Sequence, residues 1–389
     1  MHICFSLISF FAFVYLSYFK PDKVELEVTK HQTLSTCFSS FENLYFNSEK
    51  KTFMLIGHHV YTTHAFNFLD KRGYTFSFCP RKEYSIFEED GLVIDGTSII
   101  LLEREVTPSH FTHFFHFLEH LLGFWNFGGE QERDDVKLFL IAGNGKEISE
   151  NWKGCNQVTY HLIKALFPHA KIKTWHDFVR DTSGKVVCFQ KAITGDRAME
   201  LFKKEPYHTD RMLGDYFQRL QADGVDHFSR CVQHYCGVNV EPSSKLRVTY
   251  VPRFRERFVD EAQEKELLER IGNMPEVILR VADFAVYSFS EQVAIAANTD
   301  VLIGAHGNGL SHTLFLPKGA AMIELFPKDA FRVEYRIFAK AHGIDYFGWI
   351  DSKGWISDEI AETVGKHGQI EGIINIDIDA IMDVILSKI

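Results

Sequence analysis

Three closely spaced glycines could form a ligand-binding turn. Gly304 ends a short, mostly apolar run at 300–304, and Gly307 and Gly309 follow it. A short apolar run that ends in turn residues predicts a buried strand of a parallel sheet. Glycines after such a strand let a ligand approach the backbone, whose N–H groups can bind an anion. A short helix, predicted over 310–316, would point its positive end at that anion. The turn therefore predicts a phosphate site, and a plain tight turn is the alternative.

Glu324 lies near the end of a second apolar run, 321–325. A carboxylate at the end of a buried strand faces the crevice above an open α/β sheet, where such folds bind ligands. The spacing of the glycine turn and Glu324 therefore predicts a nucleotide-binding site, in which the phosphate binds the glycine turn and the ribose hydroxyls bind Glu324.

Three arginines in the segment VPRFRER follow the apolar strand predicted over 246–251. Parallel strands end at the same edge of a sheet, so these arginines should lie near the glycine turn. Guanidinium groups can neutralise a diphosphate leaving group with bidentate hydrogen bonds. A solvated turn, with its charge balanced by neighbouring acidic residues, is the alternative.

Four histidines, His110, His113, His116 and His120, fall within about 120° on one predicted helix, and Glu119 lies close to that stripe. Histidines four residues apart can share a metal ion, but the usual HExxH order is absent. A metal site, a packed histidine face and a catalytic role all stay open.

These motifs together resemble glycosyltransferase family 61. The segment DVLIGAHGNGLSHTLFLPKGAAMIELFP is similar to its C-terminal motif, VTYVPRFRER to its arginine run, SFSEQ to a helix start, and THFFHFLEH to its histidine helix. The chain departs from the family at Asn308, where alanine is usual, at Pro252, where serine is usual, and at Phe117, where an acidic residue is common. The resemblance covers about 107–122 and 247–346.

The resemblance implies an α/β fold of the GT-B type, with two Rossmann-like domains facing a cleft. It implies an inverting glycosyltransferase that moves GlcNAc or xylose from a UDP-sugar to a hydroxyl of a glycan or glycoprotein in the secretory pathway. A base deprotonates that hydroxyl, which attacks C1 of the sugar as UDP leaves. No metal or other cofactor is required, since cationic side chains and backbone amides replace it.

The resemblance also assigns residues. His113, His116 and Glu119 take the catalytic positions, with His113 and Glu119 as candidate bases. The donor-binding positions are Arg253, Arg257, His306, Gly307, Asn308, Gly309 and Glu324.

Two other functional classes stay open. A non-catalytic nucleotide-sugar or glycan-binding protein of the same fold would bind UDP without turnover. A histidine-metal hydrolase would hold stoichiometric zinc and lose activity on chelation. The glycine turn and the arginines together favour the transferase.

The N-terminal stretch 3–19 is 17 uncharged, mostly apolar residues, the lower limit for spanning a bilayer. Its end, LSYF, lacks the small residues of a signal-peptide cleavage site. We therefore predict a signal anchor at 1–23 and a single-pass type II protein of the Golgi or endoplasmic reticulum membrane, with a lumenal catalytic part. A cleaved signal peptide and a buried N-terminal element are the alternatives.

The length of 389 residues predicts two domains, and the net charge of −10 argues against a nucleic-acid partner. We predict a stem at 24–50, an N-terminal Rossmann-like acceptor domain at 51–240, and a C-terminal Rossmann-like nucleotide-sugar domain with a terminal helix at 241–389. The boundary falls in the polar segment 238–245.

Periodicity predicts the remaining elements. In the first domain it predicts strands at 52–56, 99–103, 137–142 and 185–190, and helices at 158–167 and 207–221. In the second it adds strands at 277–281 and 344–347, and helices at 261–271, 290–297, 333–341 and 379–387. Ser290 is the predicted N-cap of one of these helices, and a carboxylate of the segment Asp377-Ile378-Asp379 is the predicted N-cap of the last one, with a metal–nucleotide DxD motif as the alternative.

Overall fold

The computed structural model describes a set of ranges that all belong to one compact unit, 36–389. They are 38–49, 52–56, 75–79, 91–101, 114, 118, 121, 133–141, 156–195, 224–332, 334–357 and 371–389.

The first sheet has seven described strands, and three helices accompany it along the chain. The strands are β1 (Phe38–Asn47), β2 (Thr52–Ile56), β3 (Thr75–Cys79), β4 (Leu92–Leu101), β5 (Val136–Ile141), β6 (Lys171–Thr174) and β7 (Val186–Gly195). The helices are α1 (Asn156–Leu166), α2 (Trp175–Asp181) and α3 (Gly224–Tyr235).

The strand order of this first sheet is β3-β2-β1-β7-β4-β5-β6. Strand β1 runs antiparallel to both of its neighbours, whereas the other described pairs are parallel. The sheet is therefore mixed. Because of β1, it departs from the wholly parallel sheet expected of a Rossmann-like domain.

The second sheet and its surrounding elements follow in the C-terminal part. The strands are β8 (Leu246–Val251), β9 (Arg257–Val259), β10 (Val277–Val281), β11 (Val301–Ala305), β12 (Ala321–Phe326), β13 (Asp345–Ile350), β14 (Gly354–Trp355) and β15 (Gly372–Ile374). The helices are α4 (Glu261–Gly272), α5 (Phe289–Ala297), α6 (Glu334–His342) and α7 (Ile378–Leu386), with a 3₁₀ helix at Asn308–Phe315.

The second sheet has the order β10-β8-β11-β12-β13-β14, and its first five strands are parallel. Strands β9 and β15 form a separate parallel pair. From β8 the chain crosses to β10 on one side, and it then returns to β11 on the other side. The winding therefore reverses between β8 and β11, which is where open α/β sheets bind ligands.

Both faces of the second sheet are covered, which is why strands such as β11 and β12 are buried throughout and apolar except for Glu324. Helices α4 and α7 pack on one face through side chains such as Leu267 and Ile381. Helix α5, the 3₁₀ helix and α6 pack on the other face. That second layer shares one hydrophobic cluster with the first sheet.

An ion pair fixes the two central strands at the end remote from the crevice. Arg247 donates from Nε to Asp300 Oδ2 at 2.9 Å and from Nη2 to Oδ1 at 2.7 Å. Burial raises the pKa of Asp300, but the hydrogen bonds from Arg247 more than offset this and leave the pKa below its usual value. The pair therefore ties β8 to the residue before β11.

The helix and strand predictions for the second half are confirmed to within three residues at each end, except that the 3₁₀ helix replaces the predicted short α-helix. The N-cap predicted at Ser290 is wrong, because Ser288 caps α5 and forms a capping box with Glu291. Asp377 does cap α7, accepting a hydrogen bond from the backbone of Ala380.

Agreement is less complete in the first half. Strands β2, β4, β5 and β7 and helix α1 correspond to predicted elements, whereas β1, β3, β6, α2 and α3 were not predicted. The helix predicted at 207–221 and the signal anchor at 1–23 lie outside the described residues. No helix within the described ranges is long and apolar enough to cross a membrane. The division into two domains stays a prediction.

Candidate functional site

A cavity of about 1050 Å³ opens at the carboxyl edge of the second sheet, where the winding reverses. Its walls are the turns that follow β8, β10 and β11, together with two side chains from the N-terminal half, Phe114 and Val158. The turns after β8 and β11 carry Arg253, Arg255 and the predicted glycines, whereas Arg257 begins β9 and is not among the lining residues. Strand topology therefore brings these two distant sequence motifs to one place.

Two positions of the glycine turn have no space for a side chain. A Cβ atom on Gly307 would overlap Nη1 of Arg253, and a Cβ atom on Gly309 would lie 2.9 Å from Cγ1 of Val251. Asn308, between them, lines the cavity. The absence of side chains at 307 and 309 therefore lets the Arg253 guanidinium lie against the turn, while the turn still lines the cavity.

Arg253 and Arg257 form a cationic pair around one exposed carboxylate. Nη2 of Arg253 lies 3.2 Å from Oε2 of Glu256, and Nη2 of Arg257 lies 3.9 Å from the same atom. Burial and the neighbouring Arg253 charge lower the pKa of Arg257. The Nε atoms of both arginines are buried without a hydrogen-bond partner among the described residues. Such concentrated positive charge favours an anion at this edge.

His306 and Glu324 form a buried pair, and neither is among the side chains that line the cavity. Nδ1 of His306 lies 2.5 Å from Oε1 of Glu324, and the Tyr346 hydroxyl donates to Oε2 at 2.7 Å. Burial raises the pKa of Glu324 to about 8 and lowers the pKa of His306 to about 3. Both carboxylate oxygens are thus engaged inside the protein, and the ribose contact stays a prediction.

The predicted catalytic residues His113, His116 and Glu119 lie outside the described residues, as do His110 and His120. In the described part of the chain, no group of three or more His, Cys, Asp or Glu residues is arranged to hold a metal ion.

Phe114, Leu118 and Leu121, in the same segment, are helical and buried. The ring of Phe114 lies 4.9 Å from that of His312 and 5.9 Å from that of Phe289. This segment therefore packs against the second half of the chain beside the cavity.

The comparison with protein families decides the assignment. The family model described as Glycosyltransferase 61 matches residues 111–323, more than half of the chain. The chain belongs to glycosyltransferase family 61.

Relatives in this family are EGF domain-specific O-linked N-acetylglucosamine transferases. The chain is 33% identical to that of Rattus norvegicus over 256 residues, which cover 63% of this chain and 43% of the relative. The corresponding protein of Xenopus laevis is 36% identical over 126 residues, 31% of this chain and 24% of the relative. That of Drosophila melanogaster is 28% identical over 176 residues, 43% of this chain and 31% of the relative. The chain thus spans less than half the length of these curated relatives.

Membership of family 61 makes this chain a transferase. A second hydrogen-bond network connects two of the family motifs. Nδ1 of His312 lies 2.8 Å from the Gly309 carbonyl, and Nε2 lies 2.9 Å from Oε1 of Gln292. Gln292 in turn donates to the carbonyl oxygens of Phe284 and Tyr287 at 2.8 and 2.9 Å. This network ties the glycine turn to the turn after β10.

The sequence analysis did not assign a role to Phe114, Phe284, Gln292 or His312, although all four line the cavity. Gln292 and His312 lie within the two family 61 motifs, SFSEQ and GLSHT, so the motifs themselves contained a signal. The residues around Phe284 have an ordinary apolar composition, so the sequence contains no signal that this side chain lines a site. Its ring stacks on that of His312 at 4.1 Å, and burial lowers the pKa of His312 to about 4. The two stacked rings therefore form one wall of the cavity, and the ring nitrogens of His312 are engaged by Gly309 and Gln292.

Proposed function

We propose that this protein is an inverting glycosyltransferase that moves GlcNAc or xylose from a UDP-sugar to a hydroxyl of a glycan or glycoprotein in the secretory pathway. The observation that supports this most is the position of the Arg253 guanidinium directly over the Gly307 backbone, at the point where the sheet reverses its winding. Family membership supplies the reaction class.

The diphosphate of the donor would bind between the arginines and the glycine turn. Arg253 and Arg257 supply fixed positive charge, and the backbone of 307–309 allows close approach. Charge develops on the leaving diphosphate in the transition state, so prearranged cations there lower the barrier.

Transfer would be a single displacement. The acceptor oxygen forms a bond to C1 of the sugar, the bond from C1 to the UDP oxygen breaks, and the hydroxyl proton passes to a base. His113 and Glu119 are our candidates for that base, with His116 beside them, and the base must come within hydrogen-bond distance of the hydroxyl. In this proposal the arginines balance the leaving charge, so no metal or other cofactor is required.

The relatives narrow the first substrates to test. The names of these relatives specify N-acetylglucosamine as the sugar and an EGF domain as the target. We therefore place UDP-GlcNAc first among donors and a folded EGF domain first among acceptors, followed by UDP-xylose and free glycans.

The proposal includes the wider organisation predicted from the sequence. Two Rossmann-like domains would face a cleft in the GT-B manner, after a signal anchor at 1–23 and a stem. The predicted stem at 24–50 is too long, because β1 (Phe38–Asn47) is an interior strand of the first sheet, so the first domain begins by residue 38 and the second covers 241–389. The protein would be a single-pass type II protein of the Golgi or endoplasmic reticulum membrane, with its catalytic part in the lumen.

The experiment uses the full-length chain in detergent with a panel of UDP-sugars, and it follows UDP release and thermal stabilisation with and without a chelator. We expect one donor to stabilise the protein and to be consumed, and Arg253→Ala to weaken both effects at least tenfold. Arg270→Ala is the matched control, because Arg270 lies on the exposed side of α4 and pairs with Asp379.

Three results would change the conclusion. Stabilisation by UDP without turnover of any donor would favour the nucleotide-sugar-binding protein. Loss of activity on chelation, restored by zinc, would favour the metal hydrolase. If no UDP compound binds, the nucleotide site is wrongly assigned.

A further inference from the structure

Two large apolar side chains stand exposed at the mouth of the cavity. Phe254 follows β8 and Val286 follows β10, and each is 75% exposed. Both belong to the cavity wall. Because β8 and β10 are neighbouring parallel strands, the two turns lie side by side at the same edge of the sheet. We call Phe254 and Val286 the apolar rim.

The apolar rim differs from the other hydrophobic side chains of the same cavity. Phe284 is 5% exposed and Phe289 is 1% exposed, so the aromatic side chains deeper in the wall are buried by the fold itself. Removal of apolar surface from water is favourable. The apolar rim stays largely in contact with water in the described chain, so a partner that covers Phe254 and Val286 would be bound more tightly.

The position of the apolar rim indicates which substrate covers it. The proposed diphosphate site lies deeper, between Arg253 and the Gly307 backbone. The acceptor hydroxyl has to reach the sugar from the open side, so whatever carries that hydroxyl passes the apolar rim.

The chemistry of the two side chains separates a polypeptide from a glycan. Neither side chain can form a hydrogen bond, and valine has no planar face on which a sugar ring could stack. Arg255, between Phe254 and Glu256, is exposed and adds one cation beside the apolar rim. Apolar contacts with a polar margin are typical of protein interfaces.

We propose that the apolar rim is a docking surface for the polypeptide that carries the acceptor hydroxyl. The inference rests on the proposed transferase function. In this proposal Phe254 and Val286 determine which acceptor binds, and they do not contribute to donor binding.

The test compares Phe254→Ala and Val286→Ser with the wild-type full-length chain. Three quantities are measured: the Kd of UDP, the rate of UDP-sugar hydrolysis, and the KM for two acceptors, a folded EGF domain and N-acetylthreonine amide. We expect each substitution to raise the KM for the EGF domain about tenfold, since apolar contacts at an interface centre have effects of that size. UDP binding, donor hydrolysis and the small acceptor should be unaffected.

Val240→Ser is the matched control, because Val240 is 48% exposed and does not line this cavity. Melting temperatures of all variants are compared first, and exposed positions such as these should shift them little.

Each other outcome is decisive. A rise in the UDP Kd for Phe254→Ala would place that ring in the nucleotide site and overturn the proposal. An effect of Phe254→Ala alone, seen with a free glycan acceptor, would indicate sugar stacking and also overturn it. An unchanged KM for the EGF domain in both variants overturns it as well. If the wild-type chain binds no UDP compound, the transferase function fails, and the docking proposal fails with it.

Discussion

The guanidinium group of Arg253 occupies the space that a side chain at position 307 would need. The arginine and the glycine come from turns that are more than 50 residues apart in the sequence, and Nη1 of Arg253 donates to the neighbouring His306 carbonyl at 3.4 Å. Side-chain cation and open backbone thus form one continuous anion-binding surface.

Replacing Gly307 with alanine should remove that surface without unfolding the protein. The added methyl group displaces the flexible end of Arg253, so the melting temperature should change little. Loss of a hydrogen bond to a charged group has an effect of about 1.5–3 kcal/mol, so we expect UDP affinity to fall about tenfold or more. Isothermal titration calorimetry with UDP measures this.

Gly272→Ala is the control, because a methyl group there would meet Leu279 at 3.7 Å, an ordinary contact. Equal UDP affinities for the Gly307 variant and the wild-type chain would show that Arg253 makes no contact with the nucleotide.

Glu256 should act as an internal competitor for the donor. Its carboxylate lies 3.2 Å from Arg253 and is largely exposed, and its backbone has a positive φ of 65°. Exposed ion pairs contribute about 0.2–1 kcal/mol, so Glu256→Gln should bind UDP about two to five times more tightly. Titration at fixed salt measures the affinity, with Glu266→Gln on α4 as the control for net charge. Weaker binding would instead mean that Glu256 holds the arginines in position.

The buried Glu324 should make stability depend on pH. Its pKa is about 8 in the folded protein against 4.5 for an ordinary glutamate, so the folded state holds a proton that the unfolded state has lost. Stability from this group therefore decreases as pH rises from 4.5 to 8. His306, with a pKa of about 3 against 6.5, contributes stability that is lost as pH falls below 6.5.

Among the described groups with a shifted pKa, Glu324 has the largest effect between pH 6.5 and 8, because His306, His312 and His342 act mainly below pH 6.5. We expect the free energy of unfolding to fall by about 2 kcal/mol across this window, and Glu324→Gln to remove the slope. Urea denaturation at several pH values measures it, with the exposed Glu276→Gln as the control. Parallel slopes for Glu324→Gln and the wild-type chain would show that Glu324 is already ionised in the folded state.

Asp300 should contribute to stability through its pair with Arg247. Asp300→Asn removes the charge and one arm of the bidentate contact, so the free energy of unfolding should fall by about 1–3 kcal/mol. Asp379→Asn is the control, because that carboxylate is 83% exposed in its pair with Arg270 and should change stability by less than about 1 kcal/mol. Equal effects in denaturant titrations would contradict the structural role of Asp300.

The second sheet could be predicted because its strands are buried on both faces. Runs such as 301–305 and 321–326 are apolar, except for Glu324, and end in glycine or proline turns, so local sequence alone indicates them. Strand β1, with the sequence FSSFENLYFN, has no such pattern. It forms because it pairs along its whole length with β7, which is more than 130 residues away, as well as with the next strand, β2, and local patterns do not contain the β7 pairing.

The candidate site shows the same division. The spacing of Arg253 and Gly307 relative to their strands was sufficient to predict that they meet, because parallel strands end at one edge. The inward orientation of Glu324 toward His306 and Tyr346 was not predictable. The position of a residue in a strand predicts how close it lies to the edge of the sheet. It does not predict whether side chains from neighbouring strands will form hydrogen bonds with it.

The hydrophobic cluster shared by the first sheet and the helical layer of the second sheet limits how substrates can exchange. Phe114 lies against His312 and Phe289 from the other half of the chain. Swinging the two sheets apart would break this close-packed contact and expose the aromatic rings to water. Donor entry and product release therefore depend on small movements at the mouth of the cavity rather than on separation of the two sheets.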